Sequence, residues 1–298
     1  MELTWSSEQM KMAQQIVMER FVQNSVAEHL ASHSTVDDLE TTVRRNRFDF
    51  ARAIVIDREV FGLYEPFSFC QFSKAQMDEF GMMQANSQVQ NEAKAVTTLT
   101  RAASRLARWH DILFFRGFAD GRSFRPPLIE MPDPQNPPQS LREAALEAET
   151  QEDSSPIPVN DPSNENLVGA VYDAVLRLET RGYFTKYHLV LGEELWRALH
   201  TPTSGSMVLP RDRVEPTLLG GGFYRTTTLP EGEALLVSMD GPTFDCVRAG
   251  DPAQQPRFEF LRVQPGEDLE ELYLFRVRER FAPRVRENRA IVRLVHTP

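Results

Sequence analysis

The stretch VQNEAKAVTTLTRAASRLARWHDILFFRG, residues 89–117, contains no proline and carries a regular periodic pattern. Mostly apolar residues recur there at spacings of three and four, which places them on one face of an α-helix. They are Val89, Ala93, Val96, Leu99, Ala103, Leu106, His110 and Leu113. The pattern predicts one long helix between about Ser73 and Arg116, and Gly117 is placed to end it. A coiled coil would show a similar repeat, but the neighbouring strand-like segments favour a helix that lies across a sheet.

The residues before this helix supply further predicted elements. After Ser6 and Ser7, either of which could cap a helix, apolar residues follow at helical spacing. These residues are Met10, Ala13, Val17 and Phe21. Between Phe48 and Phe72, β-branched and aromatic residues are interrupted by Gly62 and Pro66. This pattern predicts two or three short strands, one of them in a projecting hairpin.

The C-terminal half mixes helix and strand patterns. An amphipathic helix is predicted at residues 167–182, a short buried strand at 187–192 and a further helix at 192–200. Strand-like segments then follow, from GGGFYRTTTL at 220–229 to AIVRLVH at 290–296. Because helices and strands do not alternate as βαβ units, the predicted class is α+β.

The segment between Arg125 and Glu165 differs in composition from its surroundings. It holds nine of the 20 prolines and nine acidic residues against two arginines. Such a composition is typical of a solvated loop, with a short helix at residues 141–149. We therefore predict an acidic, proline-rich linker and a domain boundary here.

Charge and cysteine usage exclude several classes of protein. The formal net charge of −10 argues against a general nucleic-acid binder. No apolar run approaches the length of a membrane span, and the first residues lack the basic start and apolar stretch of a secretory signal. Cys70 and Cys246 fit no metal or redox spacing, so we expect two inert core thiols in a cytoplasmic protein.

No grouping of residues predicts catalysis, a cofactor or a metal site. The triplet Gly220–Gly222 lacks a phosphate-binding pattern and is interpreted as a tight turn into a strand. His29 and His33 share a helical face but have no third ligand. The carboxylates of the adjacent pairs Glu193–Glu194 and Glu270–Glu271 point apart rather than towards one substrate. We therefore predict that the chain is not an enzyme.

Arginines cluster near the C-terminus and alternate with apolar residues. They are Arg276, Arg278, Arg280, Arg284, Arg286 and Arg289. This alternation predicts a strand with one charged face, which would suit a subunit interface or an acidic partner. Nucleic acid is the less favoured partner because the chain as a whole is acidic.

The order of segments from Trp109 onward resembles the encapsulin family, also called the linocin-like bacteriocin proteins. Five segments carry the resemblance: WHDILFFRG at 109–117, YHLVLGEELWRALH at 187–200, PRDRVEPTLLGGGFYRTTTL at 210–229, EALLVSMDGPTFDCVRAGDP at 233–252, and LEELYLFRVRERFAPRVRENRAIVRLVH at 269–296. Each motif is weak alone, but together they follow the family's order and spacing. The first third of the chain agrees less well.

The resemblance implies the Hong Kong 97-like fold of tailed-phage major capsid proteins, with a peripheral domain, a spine helix, an extended arm and an axial domain. The implied parts are the N-terminal helical part at 1–47, a shortened arm at 48–67, the peripheral domain with its spine helix at 68–125, the acidic insertion at 126–165, the axial domain at 166–263, and returning peripheral strands at 264–298.

The resemblance also implies a function that depends on assembly rather than chemistry. Encapsulin subunits close into icosahedral shells in multiples of sixty and hold a cargo enzyme through its C-terminal targeting peptide. By position, the cargo groove would be lined by Met10, Ala13, Val17 and Phe21, unless these side chains simply pack into the core. The loop that would line the fivefold pore, unless it is an ordinary surface turn, contains Ser204, Gly205, Ser206 and Met207.

Two other functions stay open from the sequence. The first is a phage or prophage major capsid protein that packages DNA, which the acidic charge disfavours. The second is a scaffold or adaptor protein that does not assemble into a cage.

Overall fold

The structure, a computed structural model, describes eleven stretches of the chain. These are residues 5–49, 54–82, 94–118, 129–130, 135–152, 155–161, 166–202, 207–240, 243–251, 255–265 and 271–296. The helices are α1 Ser7–Asn24, α2 Val26–Leu30, α3 Lys74–Met82, α4 Lys94–Phe115, α5 Leu141–Gln151, α6 Asn166–Thr180, α7 Glu193–Leu199 and α8 Pro210–Val214. The strands are β1 Ser32–Val36, β2 Thr42–Asp49, β3 Ile54–Gly62, β4 Glu65–Ser73, β5 Ile129–Glu130, β6 Ile157–Val159, β7 Tyr187–Leu191, β8 Phe223–Arg225, β9 Glu233–Ser238, β10 Phe244–Ala249, β11 Arg257–Pro265, β12 Glu271–Arg278, β13 Phe281–Val285 and β14 Ile291–His296. The predicted α+β class is confirmed.

A four-stranded sheet covered by α1, α3 and α4 forms the first part of the molecule, which we call the spine unit. Its strands lie in the order β11, β12, β4, β5, and β12 pairs antiparallel with both neighbours. The core between sheet and helices is rich in aromatic rings. The ring of Phe275 lies 4.8 Å from that of Phe258 and 5.1 Å from that of Trp5. Burial of these large apolar side chains holds the helices on the sheet.

Helix α4 lies across this sheet, as the sequence pattern predicts. Leu99, Ala103, Leu106 and Leu113 are completely buried, and Gly117 follows the helix with a φ of +84°. Within the predicted span the structure describes two helices, α3 and α4, and residues 83–93 lie outside the described part of the chain. Val89 and Ala93 of the predicted stripe are among the latter.

Helix α1 begins with a capping box. Ser6 is the N-cap; its hydroxyl accepts from the backbone N–H of Gln9, and the Gln9 side chain accepts in return from the N–H of Ser6. Each contact satisfies a backbone donor that the helix itself leaves unpaired. Of the two candidate caps, Ser6 is therefore the residue used.

The predicted hairpin is present and forms an arm of its own. Strands β2 and β3 pair antiparallel from Thr42–Gly62 to Asp49–Ile54 and make a separate two-stranded sheet. Because β2 begins at Thr42, the arm begins before residue 48. The first residues of β2 are mostly polar, so they show no strand pattern in the sequence. Strand β4, whose first residues were predicted to belong to the arm, instead pairs with β12 in the spine unit.

A five-stranded sheet with α6 packed on it forms the second part, the five-stranded unit. Its strands lie in the order β6, β14, β9, β7, β8. The glycine triplet makes the predicted turn into β8. Gly221 has no room for a side chain, since an added Cβ would lie 1.7 Å from the backbone oxygen of Tyr187. This close approach allows β8 to pair with β7.

A small third sheet joins the two units. β10 lies at its centre, parallel to β1 and antiparallel to β13. Beside it, a core cluster brings Leu113, Phe114 and Phe115 of α4 into contact with residues of β7 and β9. The end of the spine helix is therefore embedded between the units.

The segment predicted as a solvated linker, residues 126–165, packs into the fold through two of its described elements. Helix α5 buries Leu141, Ala144, Ala145 and Ala148, and β6 pairs with β14. This helix corresponds to the short helix predicted at residues 141–149, and its charged side chains lie on the outer face.

The implied domain boundary at residue 263 also differs from the strand pairing. β11 pairs with β12 in the spine unit, whereas β14 lies inside the five-stranded sheet. Partner strands, rather than position along the chain, determine the sheet to which a strand belongs.

Candidate assembly and cargo surfaces

A groove of about 420 Å³ runs between α1 and α4 on the surface of the spine unit. Its apolar floor is formed by the half-buried side chains of Met12, Ile16 and Val96. Its other lining residues are polar or charged: Gln15, Glu19, Arg20, Gln23 and Thr100. The groove can hold a few apolar side chains of a peptide, and its rim offers hydrogen-bonding groups to the peptide backbone.

The residues predicted to line a cargo groove do not form this one. Ala13, Val17 and Phe21 are completely buried in the core of the spine unit, and Met10 is only partly exposed. Their stripe faces the sheet and α4, so these side chains pack the core, as the sequence had left open. The residues that sequence reasoning missed, Met12 and Ile16, are an i, i+4 apolar pair beside that stripe.

Hydrogen bonds organise the polar rim of the groove. The Gln15 amide donates to Glu19 Oε1 at 2.8 Å, one turn away along α1. Arg20 Nε donates to the Ser104 hydroxyl of α4 at 3.4 Å, and Asn24 donates to the same hydroxyl at 2.9 Å. These contacts tie α1 to α4 and fix the width of the groove at this end.

A buried arginine anchors the arm at its base. Arg45 is 4% exposed; its Nη1 donates to Gln139 Oε1 at 2.6 Å, and its Nη2 bonds Glu59 on the opposite strand. The guanidinium also lies 5.9 Å from the ring centroid of Phe61. A buried guanidinium needs such partners, so these contacts define the orientation of the arm relative to the body.

The segment before α5 also forms hydrogen bonds with the base of the arm. The backbone N–H of Gly62 donates to the carbonyl of Asn136 at 3.2 Å, and the Tyr64 hydroxyl donates to the carbonyl of Pro138 at 3.0 Å. Val43 and Phe61 add buried apolar contacts on the small third sheet. The arm is therefore rooted through both of its strands.

The five-stranded unit exposes a group of large apolar side chains. Tyr172 and Leu176 lie one turn apart on the outer face of α6, and Leu176 is 61% exposed. The Tyr172 hydroxyl donates to the backbone carbonyl of Arg213 at 3.1 Å, which places α8 beside this face. Val208 and Leu219, which precede and follow α8 in the chain, are also exposed. Exposed apolar patches of this kind mark protein–protein contacts.

The loop predicted to line a pore lies largely outside the described residues. Ser204, Gly205 and Ser206 are among the undescribed positions, and the structure therefore describes Met207 alone of the four. Met207 is completely exposed.

The C-terminal arginines are paired within the chain rather than presented to a partner. Glu259 accepts from Arg276 at 3.0 Å and from Arg278 at 2.7 Å. Asp245 bonds Arg284 at 2.5 Å. Arg280 bonds Glu65 and Arg289 bonds Glu152 in the same manner. The predicted charged face is therefore largely neutralised by carboxylates from other strands and helices.

One buried cluster in the described residues brings together side chains of metal-ligating type. Ligand atoms of Glu28, His110 and Glu279 lie within 4.8 Å of one another. Arg248 already occupies both carboxylates, with its Nε 2.9 Å from Glu279 Oε1 and its Nη2 bonded to Glu28. We therefore interpret the cluster as an ion network. His29 is not part of it, and His33 contacts only its edge, 3.5 Å from Glu28.

The thiols of Cys70 and Cys246 are buried, and neither cysteine forms a disulfide. Burial raises the pKa of Cys70 to about 12, and it also raises the pKa of Cys246. A thiol with a raised pKa is a poor nucleophile at neutral pH. Among the helices that the structure describes, none combines the length and the hydropathy needed to span a membrane.

The comparisons with known proteins agree with this architecture. Residues 146–253, which run from α5 through α6 and β7 to β10, match the sequence model of a family described as encapsulating protein for peroxidase. No curated protein is similar enough in sequence to count as a relative.

Solved structures match over nearly the whole chain at low sequence identity. A virus-like particle from Pyrococcus furiosus is 14% identical with a TM-score of 0.63, and the match covers 97% of this chain and 98% of that one. The SrpI encapsulin of Synechococcus elongatus is 11% identical with a TM-score of 0.52, covering 99% and 92%. The satellite phage P4 procapsid is 11% identical with a TM-score of 0.51, covering 95% and 99%. The chain therefore has the Hong Kong 97-like fold that these encapsulin and phage capsid structures share, and its residues 146–253 resemble the encapsulating-protein family.

Proposed function

We propose that this chain is the subunit of a closed icosahedral shell that encloses other proteins in the cytoplasm. The observation that carries the proposal is the combination of a fold matched end to end by a virus-like particle with an encapsulin-type segment at residues 146–253. The fold is that of shell proteins, and the function we propose requires no catalytic group. Two buried, unpaired thiols suit a reducing compartment.

Self-association would use the arm and the exposed apolar residues of the five-stranded unit. The arm, anchored by Arg45, is a two-stranded sheet whose outer edges pair with no other strand among the described residues. Such edges and apolar patches are completed by copies of the same chain in closed assemblies. The loop around Met207 would then line a pore that admits small solutes.

The groove between α1 and α4 would hold the cargo. Its apolar floor of Met12, Ile16 and Val96 suits a short peptide with two or three apolar side chains, such as the C-terminal targeting peptide of a cargo enzyme. Within this proposal, these residues replace the buried stripe that the sequence suggested.

Assembly is tested by expressing the chain alone and measuring its size by light scattering and negative-stain microscopy. We expect hollow particles of uniform diameter. A monomer or dimer at every concentration would refute the shell and would favour a non-assembling adaptor.

Cargo binding is tested with a fluorescent reporter that carries the C-terminal peptide of each protein encoded beside this gene. We expect one such peptide to bring the reporter into the shell, and Ile16→Asp to abolish loading without affecting assembly, since a charge in the apolar floor is costly. The matched control is Val22→Asp, because Val22 is exposed on the same helix but does not line the groove. Equal loading of the two variants would show that the peptide binds elsewhere.

A phage capsid that packages DNA is the second candidate, favoured by the match to a phage procapsid. The net charge of −10 argues against it, because a wall that faces packed DNA benefits from cationic groups. The ratio of absorbance at 260 and 280 nm separates the two, since a DNA-filled particle absorbs more strongly at 260 nm.

A further inference from the structure

Four charged side chains meet inside the protein where α2, α4, β10 and the end of β12 converge. Arg248 bonds both Glu28 and Glu279, as described above. His110 Nδ1 lies 2.8 Å from Glu279 Oε2, and its Nε2 lies 3.5 Å from Glu28 Oε1. The side chains of His110 and Glu279 have no exposed surface, and those of Glu28 and Arg248 are 4% and 5% exposed. Water therefore contributes little to balancing their charges.

The charge of this cluster depends on one proton. Two carboxylates face one guanidinium, which leaves one negative charge unless the His110 ring is protonated. A protonated ring carries an N–H on both nitrogens, so it can donate to Glu279 and point its second N–H towards Glu28. Unbalanced buried charge is strongly destabilising, so the neutral, protonated cluster is the stable form.

Three other titratable groups lie near the ring. Cys246 on β10, His33 on β1 and Asp111 on α4 lie nearby; Asp111 is engaged by the Ser25 hydroxyl at 2.8 Å. Three aromatic rings complete the surroundings: Phe21, Phe114 and Phe281. Burial is the largest influence on the pKa of His110 and lowers it, but the attraction of Glu279 and the hydrogen bonds of the ring to Cys246 and Glu279 together outweigh burial and hold the pKa well above its ordinary value.

The cluster sits at the root of the arm. Glu28 belongs to α2, which leads directly into β1, and β1 pairs with β10 in a register that sets Thr35 opposite Arg248. The chain then enters the arm at Thr42. We propose that Glu28, His110, Arg248 and Glu279 form a proton-dependent latch that holds α2 and β1, the root of the arm, against α4 and β10. The latch belongs to the subunit and does not depend on the proposed shell function.

The sign of the pH dependence follows from the directions of the pKa shifts. Because the folded pKa of His110 is raised, its stabilisation is complete below the ordinary value of 6.5 and is lost as pH rises towards the folded pKa. The pKa of Glu279 is lowered, since His110 and Arg248 outweigh its burial, and its stabilisation is lost only as pH falls below 4.5.

Neighbouring groups restrict the window in which the latch is tested. Burial lowers the pKa of His33 from its ordinary value of 6.5, so His33 contributes to the pH dependence of stability below pH 6.5. The thiol of Cys246 has an ordinary pKa of 9.0, so it ionises near pH 9.0 once the chain opens. The latch is therefore tested between about pH 6.5 and pH 8.5.

The test is hydrogen exchange measured by mass spectrometry on the intact protein as purified. In this window, opening the latch releases a proton from His110, so the opening constant of β1 rises with pH, at most about tenfold per pH unit, after division by the intrinsic exchange rate. Core strand β9 serves as the internal reference and should show no such rise. We expect His110→Gln to flatten the slope for β1, whereas His188→Gln, a change of a half-buried histidine on β7, should leave it intact.

A second variant keeps the test decisive if His110→Gln does not fold. Glu28→Gln removes one carboxylate, so Arg248 alone balances Glu279 and the rise should shrink or vanish. A wild-type β1 whose corrected exchange is independent of pH would overturn the latch. The same rise persisting in both variants would overturn it as well.

Discussion

The substitution Arg45→Met tests whether the polar contacts of Arg45 hold the arm on the body of the subunit. Methionine keeps an unbranched apolar stem that packs on Phe61 but removes the guanidinium that joins Glu59 to Gln139. Arg44 supplies a matched control, because it is the next residue on the same strand and is exposed. Arg44→Met makes the same chemical change on the solvent side of the arm.

The expected cost follows from the lost contacts. A hydrogen bond to a charged group contributes about 1.5–3 kcal/mol, and the Arg45 guanidinium bonds the side chains of Glu59 and Gln139. The Glu59 side chain is 38% exposed and can be rehydrated, and the Gln139 amide keeps its bond to Glu147 at 2.5 Å. We therefore expect a loss of about 2–3 kcal/mol for docking of the arm, and less than about 0.5 kcal/mol for Arg44→Met.

Hydrogen exchange of β2 and β3 measures this loss directly. A loss of about 2–3 kcal/mol corresponds to about 30- to 150-fold faster exchange, since each 1.4 kcal/mol is tenfold. Microscopy of the same variant should show misassembled or absent particles if the arm joins subunits. Exchange rates that change equally in the two variants would refute the idea that Arg45 anchors the arm.

Three further predictions concern the body of the subunit. Ser140→Ala removes the capping box of α5 and should lower the free energy of unfolding by about 1 kcal/mol, measured by chemical denaturation; an unchanged midpoint would mean that α5 does not depend on its cap. Gly221→Ala forces a Cβ into the backbone of Tyr187 and should prevent soluble folded protein from forming, whereas ordinary yield and circular dichroism would contradict the close approach. Cys70 and Cys246 should react with a thiol reagent at neutral pH only after denaturation, because burial raises both pKa values; rapid labelling of the native protein would show that one thiol is accessible.

The sequence alone determined the elements whose signal is local. The periodicity of α4 predicted its buried face at Leu99 and Leu106, and the glycine triplet predicted a turn into β8. The ordered motifs of the C-terminal half indicated the fold class and the encapsulin resemblance, which the match at residues 146–253 supports.

Only the tertiary structure decided which surfaces remain available. An apolar stripe on α1 could face a cargo peptide or the core, and the packing of α4 and the sheet buries Val17 and leaves Ile16 half-exposed in the groove. Likewise, a run of arginines does not reveal its partners. Asp245 reaches Arg284 only because β10 and β13 pair. Periodicity is a property of neighbouring residues in the chain, whereas exposure and charge pairing depend on residues that are distant in sequence and meet only when the chain folds.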